Sequence, residues 1–450
     1  MTAVHIGCAA GFAGDRQDAS LPVIGALAAH DGPRYLMFEV LAERTLALAQ
    51  RARRDDPARG YSPYLDSYLR IALGPALRAG VRIVTNMGAA NPLAGAHHVR
   101  ALARELGLPP PRVAVVLGDD LLEVFSEAEI RTAPTVEGLA LGDRRLLAAN
   151  AYLGARPVAE AVATGAEVVL VGRTTDSALA LGPLLHEFGW DAAAWDLLAA
   201  GTIAGHLLEC GAQVTGAYFA DPGRKHVPDL ARVGFPIAEV ARDGAMVITK
   251  PPGTGGCVTK ATVTEQLLYE MHDPAAYLVA DCTADITALR LAEQAPDRIS
   301  VTGIRGRPAP PTLKATVSVE DGWHAETEMS YAGPNALARA RLAGEVLAER
   351  MTLRGVAQRP RIEIIGAGSV LAGGHPVEAP ADGDYRLRAA MHAGSEAEAT
   401  VLADEMLALY CSGPAGGGGW RRQITPQIAT ASILVPRTRI EPNIRVEVLE

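Results

Sequence analysis

The sequence EVVLVGRTTD at residues 167–176 decides the fold class. Its four consecutive apolar residues, 168–171, are closed by a glycine and followed by polar residues, and a helical pattern precedes them at 156–164. A strand buried on both faces has such an uninterrupted apolar run, because helices cover both faces of a parallel sheet. The stretch therefore predicts a helix and strand of an α/β sheet.

The same rhythm recurs towards the N-terminus. Short β-branched runs end in glycine or polar turns at 4–8, 82–86 and 112–118, and helical patterns occupy 36–53, 62–79 and 92–106. We therefore predict an α/β protein with a mainly parallel, doubly wound sheet in an N-terminal Rossmann-like lobe that spans residues 1–210.

From residue 211 the pattern changes. Strand-like stretches at 246–249, 312–319 and 361–366 alternate with fewer helices. This predicts a second lobe, α/β or α+β, over residues 211–450. No long linker separates the halves, so we expect the two lobes to pack as one unit.

Composition excludes several classes of partner. The chain has 450 residues, of which 49% are hydrophobic, and a formal net charge of −9 without any Lys/Arg block. These features predict no nucleic-acid partner and no membrane association. No segment reaches the roughly 18 apolar residues of a membrane span, and the N-terminus lacks the basic region of a signal peptide. The expected location is cytoplasmic.

Cysteine usage indicates neither a disulfide framework nor a zinc cluster. The five cysteines are scattered and lack CxxC spacing. His206 and Glu209 would need further ligands to hold a metal, and no matching second pair appears. We therefore assign no metal site.

Polar residues follow the predicted strands. They are Asp15, Asn86, Asn91, Asp119, Arg173 and Asp176. In open α/β sheets, ligands bind outside the carboxyl ends of the strands, so these residues are candidate substrate-binding residues. The alternative is that Asn91, Asp119 and Asp176 only cap the helices that follow.

The segment GHLLECG at 205–211 ends a predicted helix. His206, Glu209 and Cys210 are spaced i, i+3 and i+4 and share one helix face. They are the candidate catalytic residues, since a base oriented by a carboxylate could act beside a thiol. The alternative is a buried His–Glu hydrogen bond with Cys210 as a small core residue.

A glycine-rich turn follows a strand at 250–256. Lys250 with Gly253, Gly255 and Gly256 outlines an anion-binding turn, although the offsets are not those of a Walker loop. On the next helix, Glu265 and Tyr269 share one face and are further candidate substrate-binding residues. The alternative for this face is exposed surface.

Taken in order, these stretches resemble the acyclic terpene utilisation (AtuA-like) family over nearly the whole chain. The motifs that carry the resemblance are GCAAGFAGDR at 7–16, NMGAANP at 86–92, GDD at 118–120, GRTTDSALALGP at 172–183, GHLLECG at 205–211, KPPGTGGCVTKATVTEQLLYEMHDPAAY at 250–277, GPAGGGG at 413–419 and VPR at 435–437.

The resemblance implies an enzyme of acyl-CoA or carboxylate metabolism. We expect hydratase- or lyase-type proton chemistry, with coenzyme A present only as part of a small-molecule substrate; the identity of any cofactor stays open. The alternative is a non-catalytic ligand-binding scaffold or subunit. Some members of the family carry or accompany a small ferredoxin-fold domain, so the resemblance also implies such a partner protein, and we expect a homo-oligomer.

Overall fold

The computed structural model describes residues 3–369 and 379–450. The chain folds into two compact units. The first comprises Met1–Gly142, Leu146–Ser318 and Thr430–Glu450, and the second comprises Asp143–Arg145 and Val319–Ala429.

The strands in the described residues are β1 (Val4–Cys8), β2 (Arg34–Phe38), β3 (Arg82–Thr85), β4 (Val113–Leu117), β5 (Leu146–Ala151), β6 (Val168–Val171), β7 (Ile237–Val240), β8 (Met246–Thr249), β9 (Tyr277–Leu278), β10 (Thr283–Asp285), β11 (Arg290–Ala295), β12 (Arg298–Thr302), β13 (Arg305–Arg307), β14 (Thr312–Gly333), β15 (Arg361–Ile365), β16 (Gly383–Ala393), β17 (Gly418–Pro436) and β18 (Arg445–Leu449).

The α-helices in the same residues are α1 (Ser20–Ala28), α2 (Glu43–Asp55), α3 (Leu65–Ala79), α4 (Pro92–Glu105), α5 (Glu127–Thr132), α6 (Ala155–Ala163), α7 (Ala178–Phe188), α8 (Trp195–Glu209), α9 (Lys260–Leu268), α10 (Ala336–Leu353), α11 (Glu396–Ser412) and α12 (Arg437–Ile440).

A ten-stranded sheet organises the first unit, in the order β11-β12-β8-β7-β1-β2-β3-β6-β4-β18. Strands β1, β2, β3, β6 and β4 are mutually parallel. All four residues of β6 are buried, as the apolar run predicts. Helices α1, α3 and α4 share one hydrophobic core with these strands, while α6 contacts β4 and β6 and α7 contacts β1 and β2.

The α/β class is confirmed, but a mainly parallel sheet is not. Strand β7 pairs antiparallel with β1, β8 continues antiparallel, and β18 pairs antiparallel with β4 at the other edge. The sheet is therefore mixed. Because β7, β8, β11 and β12 extend the sheet that the N-terminal strands begin, the compact units do not follow the predicted boundary at residue 210: residues 211–318 belong to the first unit.

The predicted helix at 36–53 needs correction. The segment YLMF at 35–38 lies in β2, and α2 begins only at Glu43. Residues 35–38 are all buried because both faces of β2 are covered, and an apolar run of that length cannot be told from a buried helix by periodicity alone.

Strands of the second unit belong to a five-stranded sheet with the order β15-β16-β14-β17, in which β5 also pairs with β14. Strand β16 pairs antiparallel with both β14 and β15. Helix α10 follows β14 and α11 follows β16, and both pack on the sheet through a core that includes Leu347, Met406 and Leu387. A β-α-β-β-α-β connection in this order is the ferredoxin-like arrangement. This chain thus contains such a unit itself, while a separate ferredoxin-fold partner stays a prediction.

Within the part of the chain that the structure describes, no helix is both long and apolar enough to span a bilayer.

The packing of α8 on the segment before α7 generates a stability prediction. A Cβ atom on Gly205 of α8 would lie 2.5 Å from Cα of Ser177 and 2.6 Å from its carbonyl oxygen, and this backbone cannot rotate away. We expect Gly205→Ala to lower the free energy of unfolding by about 1–3 kcal/mol.

The matched control is Gly25→Ala in α1, where a Cβ would meet nothing within 4 Å. Alanine there should stabilise the protein by about 0.5–1 kcal/mol through helix propensity. Urea unfolding of both variants checks the pair, and equal effects would contradict the described packing.

Candidate functional site

A cavity of about 740 Å³ lies in the first unit at the carboxyl ends of its parallel strands. Its walls come from the loops after β1, β2 and β6, from the C-terminal end of α8 and from residues 269–280 and 310–314. The side chains that carry its chemistry are Glu39, Glu43, Tyr152, Arg173, Asp176, Glu209, Cys210, Tyr277 and Lys314.

Glu39 follows β2 directly and is 9% exposed. Its Oε1 accepts hydrogen bonds from Nδ2 of Asn86 at 2.7 Å and from the Leu41 backbone N–H at 3.0 Å. Burial raises the pKa of Glu39 well above the ordinary carboxyl value, and the nearby charge of Asp176 raises it further. Glu39 therefore holds its proton at a pH where an exposed glutamate is ionised.

Arg173 is a buried cation whose hydrogen-bond donors are directed to the protein. It follows β6, is 1% exposed, and donates to the carbonyl oxygens of Leu41 and Thr174 and to Asp176. Its guanidinium carbon lies 4.4 Å from the centre of the Tyr152 ring. These contacts leave it little capacity to bind an anionic ligand.

Asp176 carries the second carboxylate of this group. Burial raises the pKa of Asp176 to about 6, although the charge of Arg173 opposes the shift. Glu39 and Asp176 are thus two carboxyl groups of one cavity, and burial raises the pKa of both. Such pairs allow one group to donate a proton while the other accepts one.

His206 and Glu209 contact each other, as their position on one helix face predicts. Nδ1 of His206 lies 2.8 Å from Oε1 of Glu209, and its Nε2 lies 3.3 Å from the carbonyl oxygen of Leu267. Burial lowers the pKa of His206, but the Glu209 carboxylate outweighs that effect and the pKa is raised. Of these two residues only Glu209 lines the cavity, and His206 lies behind it.

Cys210 lines the cavity as a protonated thiol. Burial, assisted by the charge of Glu209, raises the pKa of Cys210 to about 12. A thiol is nucleophilic only as its thiolate, so this environment does not suit a catalytic cysteine near neutral pH.

A second polar group lies on another wall of the cavity. The hydroxyl of Tyr152 donates to Oε1 of Glu43 at 2.5 Å. Nζ of Lys314 lies 3.5 Å from the same oxygen and 4.8 Å from the centre of the Tyr152 ring. The Glu43 carboxylate is therefore paired with both the Tyr152 hydroxyl and the Lys314 ammonium group.

The polar residues after the strands do converge on one edge, but several support the cavity instead of lining it. Asp119 accepts hydrogen bonds from the Arg173 backbone N–H at 3.0 Å and from Nδ2 of Asn150 at 2.9 Å. Asn86 holds Glu39, and Asp15 accepts from the Gly11 backbone N–H at 2.9 Å. These contacts fix the loops that carry the lining residues.

Asn91 lies elsewhere and has the role that the capping alternative describes. Its side chain is the N-cap of α4, accepts from the Ala94 backbone N–H at 3.2 Å, and donates to the carbonyl oxygens of Pro57 and Arg59.

The glycine-rich turn after β8 also lies outside the cavity lining. Nζ of Lys250 donates to the Thr254 carbonyl at 2.9 Å and pairs with Asp297 at 3.2 Å. Gly253 and Gly256 have positive φ angles of 74° and 80°, and a Cβ on Gly255 would clash with the Asp229 backbone. The turn is thus held by its own contacts.

The two candidate residues Glu265 and Tyr269 lie in different environments. Glu265 pairs with Lys225 on the surface, whereas Tyr269, the C-cap residue of α9, lines the cavity. The four-residue spacing puts both on one helix face only if the helix continues, and α9 ends before Tyr269.

Sequence reasoning missed Glu39, Glu43, Tyr152, Tyr277 and Lys314. A signal existed for Glu39, since it follows the apolar run YLMF as Arg173 follows its own strand. The helix predicted at 36–53 includes Glu39, so Glu39 was not recognised as a residue at the end of a strand. The other four gave no signal, because they meet only through tertiary folding.

Acidic side chains outnumber basic ones among the residues that line the cavity. They are Glu39, Glu43, Asp176, Glu209, Glu270 and Asp273, against Arg173, Lys314 and the imidazole of His272. Arg173 and Lys314 each already contact a carboxylate. The cavity therefore favours an uncharged group over an anion.

The fold and the cavity define a class: an α/β protein with an acid-rich pocket outside the carboxyl ends of its parallel strands. The chain belongs to the acyclic terpene utilisation family, because the family model described as "Acyclic terpene utilisation family protein AtuA" matches residues 4–446. This confirms the resemblance. No curated protein and no solved structure matches the chain.

The environment of Glu39 generates a pH-dependent stability prediction. Its folded-state pKa is raised, so the folded protein binds this proton more tightly than the unfolded chain, whose glutamate pKa is about 4.3. The contribution of Glu39 to stability is therefore lost as pH rises above that value. We expect Glu39→Gln to be more stable than the wild type at pH 7.5, because the Gln oxygen can still accept from Asn86 and Leu41.

The advantage of Glu39→Gln should shrink as pH falls towards 4.5, where the wild-type carboxyl is protonated. Urea unfolding at several pH values measures both proteins. A constant difference across the pH range would contradict the raised pKa.

Proposed function

We propose that this chain is an enzyme of hydratase or lyase type that removes the proton α to the carbonyl of an acyl-CoA thioester or a related carboxylic derivative. The observation that carries the proposal is the pair of acids, Glu39 and Asp176, which line one cavity and whose pKa values burial raises above the ordinary carboxyl value. Two such carboxyl groups in one cavity can supply an acid and a base together.

The proposed roles follow from these pKa values. Asp176, whose pKa is about 6, is ionised near neutral pH and accepts the α proton. We assign Glu39 as the acid, because burial raises its pKa well above the ordinary carboxyl value; its proton would form a hydrogen bond to the carbonyl oxygen as that oxygen gains negative charge. Return of the proton from Asp176 to a departing β-hydroxyl releases water and leaves the unsaturated thioester, so atoms and charge balance.

Glu209 and His206 complete the proposed site. Glu209 lies in the cavity wall and is held by His206 at 2.8 Å. We assign Glu209 to orienting the β-substituent, and His206 to positioning Glu209. Cys210 contributes shape only, since its pKa of about 12 keeps it protonated.

The charged side chains of the cavity limit which chemical group of a substrate can bind there. A thioester is uncharged at its reacting end, whereas a free carboxylate would lie among six acidic side chains of the lining. The phosphates of coenzyme A would then remain outside the cavity. The cavity therefore favours a thioester over a free acid.

The proposal is tested by exchange of the α proton in D₂O. Purified protein is incubated with a panel of saturated and β-hydroxyacyl-CoA thioesters, and mass spectrometry measures deuterium uptake and loss of water. We expect uptake with at least one thioester, and a loss of about 10²-fold or more in Asp176→Asn and Glu39→Gln, as removal of a general acid or base causes.

The matched control is Glu105→Gln, which neutralises an exposed carboxylate paired with Arg70 outside the cavity and should leave exchange unchanged. Thioester-induced thermal stabilisation without exchange would favour the binding scaffold instead. Exchange that survives in Asp176→Asn would remove the acid–base assignment.

A further inference from the structure

A second polar cluster lies at the amino edge of the parallel strands, away from the cavity. It comprises His5 near the start of β1, His30 just after α1 and Glu239 in β7. His5 and Glu239 are direct partners across the antiparallel β1–β7 pair. One potential ligand atom from each of the three residues lies within 4.8 Å of the other two.

His5 has an unused ring nitrogen in this cluster. It is 6% exposed, and its buried Nδ1 has no hydrogen-bond partner among the residues that the structure describes. A buried polar atom without a partner is costly, and each such group requires an explanation such as a bound ion. The residues around the His5 ring show which ligand could bind to this nitrogen.

The ring of His30 is stacked on the ring of His5. The two ring centres are 4.1 Å apart and the planes differ by 19°. The lone pair of an imidazole nitrogen lies in the plane of its ring, so two stacked rings do not direct their nitrogens to a common atom. The half-buried His30 would turn its ring to bind an ion together with His5. Neutral imidazole nitrogens are the commonest metal ligands among side chains.

Glu239 supplies a carboxylate that is already oriented. Arg298 donates to Oε1 at 2.8 Å and to Oε2 at 2.7 Å. Each carboxylate oxygen has a second lone pair, so this contact leaves acceptor capacity. In protein metal sites the ligating carboxylates are themselves hydrogen-bonded by an outer shell, and Arg298 would have that role here.

We propose that His5, His30 and Glu239 form a binding site for a divalent transition metal ion, with Zn²⁺ the best match. Two imidazoles and one carboxylate are a known three-ligand set for zinc, which leaves one position for water. Mg²⁺ and Ca²⁺ take oxygen ligands and do not fit two imidazoles. A bound ion would join β1, β7 and the end of α1.

The charge of Arg298 limits the affinity of this site. The guanidinium offsets the only carboxylate of the set, so the ion binds without net charge neutralisation. We therefore expect an ion that a strong chelator removes and that micromolar Zn²⁺ restores. The proposed catalytic cavity contains none of these residues, so this site and the proposed function stand independently.

The experiment uses the full chain, freed of metal by a chelator and then titrated with Co²⁺ and Zn²⁺. We expect one Co²⁺ per chain, with visible absorption and without the near-ultraviolet band of a cobalt–thiolate bond, since no cysteine belongs to the site. Zn²⁺ should also raise the unfolding temperature. In His30→Gln the affinity should fall by more than about tenfold, because even outer-shell partners contribute that much.

The control is His97→Gln, which replaces an exposed histidine of α4 and should bind as the wild type does. His30 is only half-buried, so its replacement should fold, and circular dichroism without metal verifies this. Absence of binding at about 100 µM Co²⁺, a concentration far above a micromolar Kd, would overturn the proposal. Equal affinities of the wild type and His30→Gln, or a thiolate band, would do the same.

Discussion

The buried guanidinium of Arg173 is the constraint on which the cavity depends. A charge that is 1% exposed is tolerated only when paired and fully hydrogen-bonded. Its partners come from three places: the Leu41 carbonyl after β2, the Thr174 carbonyl beside it, and Asp176. Satisfying Arg173 therefore fixes the loop after β2 against the loop after β6, and with it the position of Glu39.

This arrangement also sets the environment of the two carboxyl groups. Burial raises the pKa of Asp176, and direct contact with the guanidinium opposes that effect. Burial also raises the pKa of Glu39, whose carboxyl accepts two neutral hydrogen bonds, from Asn86 and Leu41. The same cation therefore holds both carboxyl groups in one cavity through different contacts.

The sequence allowed the parallel strands and their polar ends to be predicted where apolar runs were closed by glycine, as at 167–173. The antiparallel pairs were not predicted, because β7 pairs with β1 and β18 pairs with β4 although the paired strands are far apart in the sequence. In the site, the His206–Glu209 pair could be predicted because helical spacing fixes it locally. The contact of Glu43 with Tyr152 depends on long-range folding, which no local pattern encodes.

The antiparallel extension of the sheet has chemical consequences as well as architectural ones. Had the sheet been mainly parallel with β1 at its edge, His5 would have had no cross-strand neighbour on that side. Because β7 runs antiparallel to β1, Glu239 lies opposite His5, and Arg298 of β12 reaches the same carboxylate. One mixed sheet therefore gathers carboxylic acids at the carboxyl ends of its parallel strands and imidazoles at their amino ends. Long-range strand pairings, such as that of β1 with β7, therefore determine which side chains lie close together, and local sequence patterns do not show these pairings.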